Sequence, residues 1–215
     1  MKSNTYLFDF DGVLVDSMPI FVSVMLRFLD ESNIKYGDDV IKTITPLGYR
    51  GTVKYLKGLG VPYSEDEMII MAKKSAFNEY LYNIPAKKYV CEILSELKND
   101  GAELNILSAS PHIVIDVCLE RLGIKDLFSN ILSTDDFGRR KSEPDIYVEA
   151  LQRLGKGVDE VLFLDDNINA LKAAKEAGLK ICGVFDSSSA DCESDIRAFA
   201  DYYIYDFSEL TEVVK

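Results

Sequence analysis

The chain has 215 residues, of which 47% are hydrophobic and 28% charged. This length allows one sizeable core with at most a small second module, and the composition is typical of a folded protein rather than a disordered one. The formal net charge of −12 makes a general attraction to nucleic acid or to anionic membranes unexpected.

Signals for secretion and membrane insertion are not recognised in the sequence. The apolar stretch near the N-terminus is short and broken by acidic residues, and no apolar run approaches the length of a membrane span. The cysteines are far apart in the sequence and form no Cys-x-x-Cys pair, which argues against a zinc site or a disulfide framework. We therefore expect a cytoplasmic protein with free thiols, and a monomer by default.

Short apolar, β-prone runs alternate with stretches of helical period. This alternation predicts a parallel sheet covered on both faces, that is, an α/β fold with a doubly wound, Rossmann-like core. A helix is predicted over residues 87–99, where Asp100 and Gly101 end it. In chain order, the predicted strands are residues 6–10, 104–107, 130–132, 161–164, 180–185 and 202–205.

The stretch from Ser17 to Asn83 has a different pattern. Apolar residues recur there at helical spacing, for example at Val22, Leu26 and Leu29, and no run is typical of a strand. The sequence thus predicts a small α-helical domain inserted into the core, and two chain crossings permit it to move. The predicted boundaries are 1–15 and 86–215 for the α/β core, and 16–85 for the helical cap.

Acidic residues lie at the ends of two of the predicted strands. Asp9 and Asp11 lie two residues apart at the end of the first strand, and alternate residues of a strand share a face. Carboxylates this close repel each other unless a cation or a proton intervenes, which favours a Mg²⁺ site over a solvated acidic turn. Asp165 and Asp166 form a second acidic strand end, and a chance acidic turn does not explain both pairs.

Parallel strands bring their carboxyl ends to one edge of the sheet. The two acidic pairs, the hydroxyl of Ser108 and the loop that carries Lys141 are therefore expected to converge there. Carboxylates, a hydroxyl and a cation in one place predict phosphoryl chemistry.

At these positions the sequence resembles the haloacid dehalogenase-like (HAD) hydrolase superfamily, in the branch of phosphoglycolate phosphatase and β-phosphoglucomutase with a helical cap. The resemblance spans nearly the whole chain, and the order and spacing of its motifs give it its strength. The motifs are DFDGVLVDS at residues 9–17, SAS at 108–110, KSEPDIY at 141–147 and LDDN at 164–167.

The resemblance implies roles for the matching residues. Asp9 would be the nucleophile that forms an aspartyl phosphate, and Asp11 would act as acid and then as base. Ser108 would bind a phosphoryl oxygen, and Lys141 would offset negative charge. The implied ligands of Mg²⁺ are Asp9, Asp11 (with its backbone carbonyl), Asp165 and Asp166, and the implied substrate-binding residues of the core are Gly12, Ser108, Ala109 and Lys141.

The helical insertion resembles the small cap of this superfamily, which closes over small phosphate esters and shields the site from water. Within it, residues 46–51 are predicted to form a glycine-bracketed loop that resembles the specificity loop of such caps. This interpretation assigns Tyr49 and Arg50 to substrate binding, and the plain alternative is a helix cap with a surface arginine.

Several residues depart from the family pattern or carry no assigned role. Ser142 and Glu143 stand where many relatives have a proline after the lysine, and Ala170 stands where the fourth motif has an acid. Arg139 is expected to be a solvated loop charge, and His112 is expected to face solvent.

The sequence thus predicts a Mg²⁺-dependent, phosphoglycolate phosphatase-like enzyme for a small-molecule phosphate monoester, whose identity stays open. A β-phosphoglucomutase-like mutase is the main alternative, although Pro19 and Ile20 occupy the stretch where those relatives carry a histidine. A 2-haloacid dehalogenase would not need Asp11. A phosphoacceptor signalling module without turnover is less favoured, because its acceptor Asp lies on a middle strand, whereas Ser108 ends the second strand here.

Overall fold

The computed structural model describes residues 4–213 and contains one sheet of parallel strands, which confirms the predicted α/β class. The strands are β1 (Thr5–Phe8), β2 (Glu103–Ser108), β3 (Phe128–Ser133), β4 (Val161–Asp165), β5 (Lys180–Val184) and β6 (Tyr202–Ile204). Their order in the sheet is β3-β2-β1-β4-β5-β6. The chain thus builds one side of the sheet outward from β1 and then returns to build the other side from β4, which makes the β1/β4 boundary the topological switch point.

Helices connect the strands, and a group of helices follows β1 directly. No helix within residues 4–213 is long and apolar enough to cross a bilayer. The helices are α1 (Met18–Glu31), α2 (Asp38–Ile44), α3 (Gly48–Gly58), α4 (Glu65–Tyr82), α5 (Val90–Asn99), α6 (His112–Leu122), α7 (Pro144–Leu154), α8 (Ile168–Glu176), α9 (Glu193–Phe199) and α10 (Leu210–Val213).

The register of β1 aligns its end with the end of β4. All residues of β1 are buried, and Phe8 pairs with Leu164 of β4 and with Ile106 of β2. The amide of Asp9 continues the ladder by donating to the carbonyl of Leu164 at 2.8 Å. Asp9 and Asp165 therefore leave the sheet side by side.

The chain divides into two compact units, Met1–Asp16 with Pro85–Lys215, and Ser17–Ile84. Each boundary lies one residue from the predicted one. The second unit contains α1 to α4 and has its own apolar core. In α1 the buried residues include Leu29, as predicted, together with Val24, Met25 and Phe28, whereas Val22 and Leu26 are partly buried against the same core.

Helix α5 begins three residues later than the sequence predicts. Tyr89 precedes it with a left-handed backbone, φ 65° and ψ 2°. A residue with a Cβ is strained in this conformation, whereas glycine adopts it freely. The helix ends as predicted at Asp100 and Gly101, where Gly101 has φ +84°.

We expect the variant Tyr89→Gly to be more stable than Tyr89→Ala by about 1 kcal/mol, because glycine adopts the left-handed conformation without the strain caused by a Cβ. Tyr89→Ala is the matched control, since it keeps the Cβ but loses the ring over which Lys88 Nζ lies at 4.5 Å from the centroid. Urea unfolding measures both variants. A glycine variant no more stable than the alanine variant contradicts the assignment of strain to this residue.

Candidate active site

Three carboxyl groups converge at the switch point. Asp9 follows β1, Asp165 ends β4, and Asp166 comes next in the chain. One oxygen from each of the three lies within 4.8 Å of the others. The sheet register described above produces this cluster, and its hard oxygen atoms suit Mg²⁺.

Lys141 joins two of these carboxylates from the loop before α7. Its Nζ lies 2.8 Å from Oδ1 of Asp9 and 2.5 Å from Oδ2 of Asp165. The Lys141 side chain is 10% exposed and that of Asp165 is fully buried. A buried cation thus balances part of the negative charge that the fold concentrates here.

The protonation of the cluster reflects burial and crowding. Burial raises the pKa of Asp9 to about 7, against the lowering effect of Lys141. Burial, and then the charges of Asp165 and Asp9, also raise the pKa of Asp166. For Lys141, burial works against the charged form, but the carboxylates of Asp165 and Asp9 outweigh it and raise the pKa. Such a crowded acidic site favours binding of a further cation.

The two adjacent carboxylates at the end of β4 differ in their contacts. Asp165 uses both oxygens within the protein, since Oδ1 accepts from the amide of Asn167 at 2.8 Å and Oδ2 faces Lys141. Asp166 lies against Gly12, where an added Cβ would come within 2.9 Å of its Cγ. Gly12 also has φ +76°, so both its conformation and its close approach to Asp166 require glycine.

The position of Asp11 differs from the prediction that strand alternation places it on the same face as Asp9. Strand β1 ends at Phe8, so strand alternation does not orient Asp11. The chain turns at once, and the carbonyl of Phe10 accepts from the amides of Leu14 and Val15. Asp11 Oδ2 instead accepts a hydrogen bond of 2.6 Å from Ser110 Oγ, and its side chain is not among the three clustered carboxylates.

The SAS motif forms a tight turn after β2. Ser108 is fully buried and its Oγ accepts from the amide of Ser110 at 3.0 Å, whereas Ala109 is exposed. Ser133, at the end of β3, donates to the carbonyl of Ser110 at 2.9 Å. Sequence reasoning missed Ser110 as the partner of Asp11, although the motif containing it was recognised.

Tyr147 is a second residue that sequence reasoning left without a role. Its buried hydroxyl donates to the carbonyl of Lys141 at 2.8 Å and lies 3.1 Å from the carbonyl of Ala170. Tyr147 thereby ties the backbone that carries the lysine to helix α8. Ala170, which stands where the family pattern has an acid, contributes through its backbone instead.

Two charged residues near the motifs are engaged elsewhere. The Nε2 of His112 lies 2.9 Å from the carboxylate of Asp136, so the ring is paired rather than simply solvated. Arg139 donates through Nε to Glu149 at 2.7 Å and lies 3.4 Å from Asp145. Arg139 is therefore a partly exposed loop charge, as expected, and it also pairs with acidic residues of α7.

The predicted glycine-bracketed loop at residues 46–51 is also corrected. Helix α3 begins at Gly48, so Tyr49 and Arg50 lie in its first turn. Gly48 has φ +61°, which separates α3 from a short 3-10 turn over Thr45–Leu47. The ring of Tyr49 packs edge-on against Phe21 with centroids 5.2 Å apart, and Arg50 is exposed.

Comparison with known sequences identifies relatives over most of the chain. Residues 4–178 match the family model of haloacid dehalogenase-like hydrolases. The pyrophosphatase PpaX of Bacillus velezensis is 32% identical over 181 residues, which cover 83% of this chain and 81% of PpaX. A phosphorylated carbohydrates phosphatase of Thermotoga maritima is 27% identical over 84% of this chain and 85% of its own length.

Solved structures share the fold over the full length. YfnB from Bacillus subtilis, bound to magnesium, has a TM-score of 0.82 at 17% identity, covering 100% of this chain and 99% of YfnB. CbbY from Rhodobacter sphaeroides, in complex with phosphate, has a TM-score of 0.77 at 19% identity, covering 98% of this chain and 96% of CbbY. With the family model, the named relatives and the predicted motifs in agreement, this chain belongs to the haloacid dehalogenase-like hydrolase family.

Proposed function

We propose that the protein is a Mg²⁺-dependent phosphatase that hydrolyses a small-molecule phosphate monoester through an aspartyl phosphate on Asp9. The observation that carries this proposal is the buried Lys141, which bridges Asp9 and Asp165 beside Asp166 at the switch point of the sheet. A carboxylate held next to a buried cation at this edge is suited to attack on an anionic group. The name of one relative, a phosphorylated carbohydrates phosphatase, supports hydrolysis of a monoester, and the pyrophosphatase name of the other supports hydrolytic phosphoryl transfer in general.

In the first step, a carboxylate oxygen of Asp9 attacks phosphorus, and the bond from phosphorus to the ester oxygen breaks. The bonding electron pair leaves with that oxygen, which takes a proton from Asp11. In the second step, water gives its proton to Asp11 and attacks phosphorus, and the bond to Asp9 breaks. The products are an alcohol and inorganic phosphate, and both carboxyl groups return to their starting states.

Neighbouring contacts support the assigned roles. Lys141 and the amide of Phe10, at 2.7 Å, both contact Oδ1 of Asp9 and fix the nucleophile. The hydrogen bond from Ser110 holds the carboxyl group of Asp11 after the turn. In the proposal, Ser108, Ala109 and Gly12 line the phosphoryl pocket with hydroxyl and backbone groups.

The proposed ligands of Mg²⁺ are the carboxylates of Asp9 and Asp166 and the backbone carbonyl of Asp11. Asp165 is assigned the task of holding Lys141, because both of its oxygens are already engaged. When bound, Mg²⁺ supplies positive charge that offsets the phosphoryl oxygens during transfer.

We assign substrate selection to the helical unit, as in the cap that its sequence resembles. Arg50, exposed in the first turn of α3, is the proposed contact for a second charged or polar group of the substrate. Tyr49 has a structural part as well, because its ring packs against Phe21. Phosphoglycolate and sugar phosphates are therefore the monoesters to compare, and pyrophosphate, the anhydride that the name of the PpaX relative points to, is the comparison compound outside that class.

The test is phosphate release from p-nitrophenyl phosphate and from a panel that contains these compounds, measured with Mg²⁺ and with excess chelator. We expect turnover that requires the metal, and the ranking of the panel identifies the substrate class. Turnover unaffected by the chelator contradicts the proposal.

Other outcomes point to the alternatives. A phosphoenzyme that passes its phosphate to a sugar phosphate but not to water indicates a mutase. A long-lived phosphoprotein without turnover indicates a phosphoacceptor module. Halide release from a 2-haloacid without Mg²⁺ indicates a dehalogenase.

A further inference from the structure

Lys87 makes a set of contacts that neither the motifs nor the proposed mechanism assigns. It follows Pro85, where the chain re-enters the α/β unit. Its Nζ donates to the carbonyls of Gly12 and Phe185, each at 2.6 Å, and to Asp186 Oδ2 at 3.0 Å. Three acceptors match the three N–H groups of an ammonium. The side chain is 18% exposed, so these contacts face little competition from water.

Through Gly12, Lys87 reaches the segment that carries Asp11. The amide of Gly12 donates to the carbonyl of Val15 at 3.0 Å, and the carbonyl of Gly12 accepts from Lys87. Both peptide groups of Gly12 are thus held. Because the Asp11 carbonyl lies trans to the Gly12 amide in one planar peptide, its direction is fixed away from Val15.

Gly12 also lies against Asp166. An added Cβ at Gly12 would come within 2.9 Å of the Cγ of Asp166, so a displacement of this backbone changes the space around that carboxylate. Lys87 therefore holds the Gly12 backbone, which lies between the Asp11 carbonyl and the Asp166 carboxylate, two of the proposed Mg²⁺ ligands.

The other partner of Lys87 is anchored at the end of β5. Asp186 is buried, and its Oδ1 accepts from the amide and the hydroxyl of Ser188 at 2.9 Å and 2.6 Å. Its Oδ2 faces Lys87. The ammonium thereby connects the loop after β1 to the two residues that follow β5.

We propose that Lys87 is a positioning residue for the metal site, which holds the Asp11 carbonyl and the Asp166 carboxylate in place by tying Gly12 to the end of β5. This inference rests on the proposed Mg²⁺-dependent function. Lys87 touches neither substrate nor reacting atoms and acts through Gly12 and Asp186.

The direction in which the Mg²⁺ affinity changes when Lys87 is removed distinguishes a positioning role from a purely electrostatic one. Removal of a cation near an acidic cluster, acting only through Coulomb forces, would tighten the binding of Mg²⁺. Removal of a structural tie loosens the ligands and weakens binding. A purely stabilising role for Lys87 would lower the unfolding temperature and leave the affinity unchanged.

The experiment is calorimetric titration of MgCl₂ into the full chain, which does not depend on turnover. We expect about tenfold weaker Mg²⁺ binding in Lys87→Met, in line with the effect of residues that orient metal ligands. Lys88→Met is the matched control, because Lys88 is the next residue, its side chain is 68% exposed and it lies 3.8 Å from Asp206. We expect this control to bind Mg²⁺ like the wild type.

The double variant Lys87→Met/Asp186→Asn keeps the test valid where Lys87→Met alone fails to fold. It removes the buried carboxylate that would otherwise be left without its cation, yet leaves the Gly12 carbonyl untied. Weakened Mg²⁺ binding in this folded variant supports the inference. Unchanged or tighter binding, while the wild type binds Mg²⁺, overturns it and leaves the proposed function intact. A wild-type chain that binds no Mg²⁺ contradicts both.

Discussion

The variant Asp9→Asn is expected to lose at least about 1,000-fold in turnover, because an amide oxygen cannot replace the carboxylate as nucleophile. Its fold should persist. Since burial raises the pKa of Asp9 to about 7, the ionised form is costly in the metal-free protein, and a neutral amide of the same shape removes that cost. The measurements are phosphate release at saturating Mg²⁺ and thermal unfolding in the presence of chelator.

Asp145→Asn is the matched control for this experiment. Asp145 lies in the first turn of α7, and its side chain is 71% exposed. The same chemical change at this position should leave turnover near the wild-type value. Full activity in Asp9→Asn rules out the aspartyl phosphate mechanism.

Lys141→Met is expected to lower both activity and stability. Without the ammonium, the carboxylates of Asp9 and Asp165 lie close together in a buried site with no counter-charge from Lys141. Removing one partner of a buried ion pair typically costs about 3–5 kcal/mol in the free energy of unfolding. Loss of a charge that acts on the transferred phosphoryl group is expected to lower turnover about 100- to 1,000-fold.

The stability loss in Lys141→Met should depend on pH. Lys141 lowers the pKa of Asp9, so its removal moves that pKa further above the unfolded value. A carboxyl group with a raised pKa in the folded state is stabilising while protonated, and this stability is lost as pH rises through the folded-state pKa. Urea unfolding with chelator should therefore show a smaller difference from the wild type at pH 5 than at pH 8.

Arg139→Met serves as the control for Lys141→Met. Arg139 also pairs with carboxylates, but its side chain is 36% exposed, and pairs of this kind contribute less than about 1 kcal/mol. Wild-type stability of Lys141→Met at pH 8 contradicts the role assigned to this buried cation.

The sequence alone determined the fold class and the two acidic strand ends. Apolar runs that stop at Asp11 and at Asp165 placed the two acidic pairs at strand ends, and parallel pairing then required these ends to meet at one edge. The period of two in strands and the longer period in helices are local properties, so they can be read without the tertiary fold. The helical insertion was readable for the same reason.

The tertiary structure decided which side chains the acidic residues contact. Asp11 was placed by strand alternation, but a turn that begins after Phe8 directs it to Ser110, which is 99 residues away in the chain. Nothing local distinguishes Lys87 from Lys88, yet one is buried against Gly12 and Asp186 and the other is exposed. Contacts between residues so distant in sequence depend on how the helices and strands pack together. The sequence pattern around a residue does not show which distant residue it will contact.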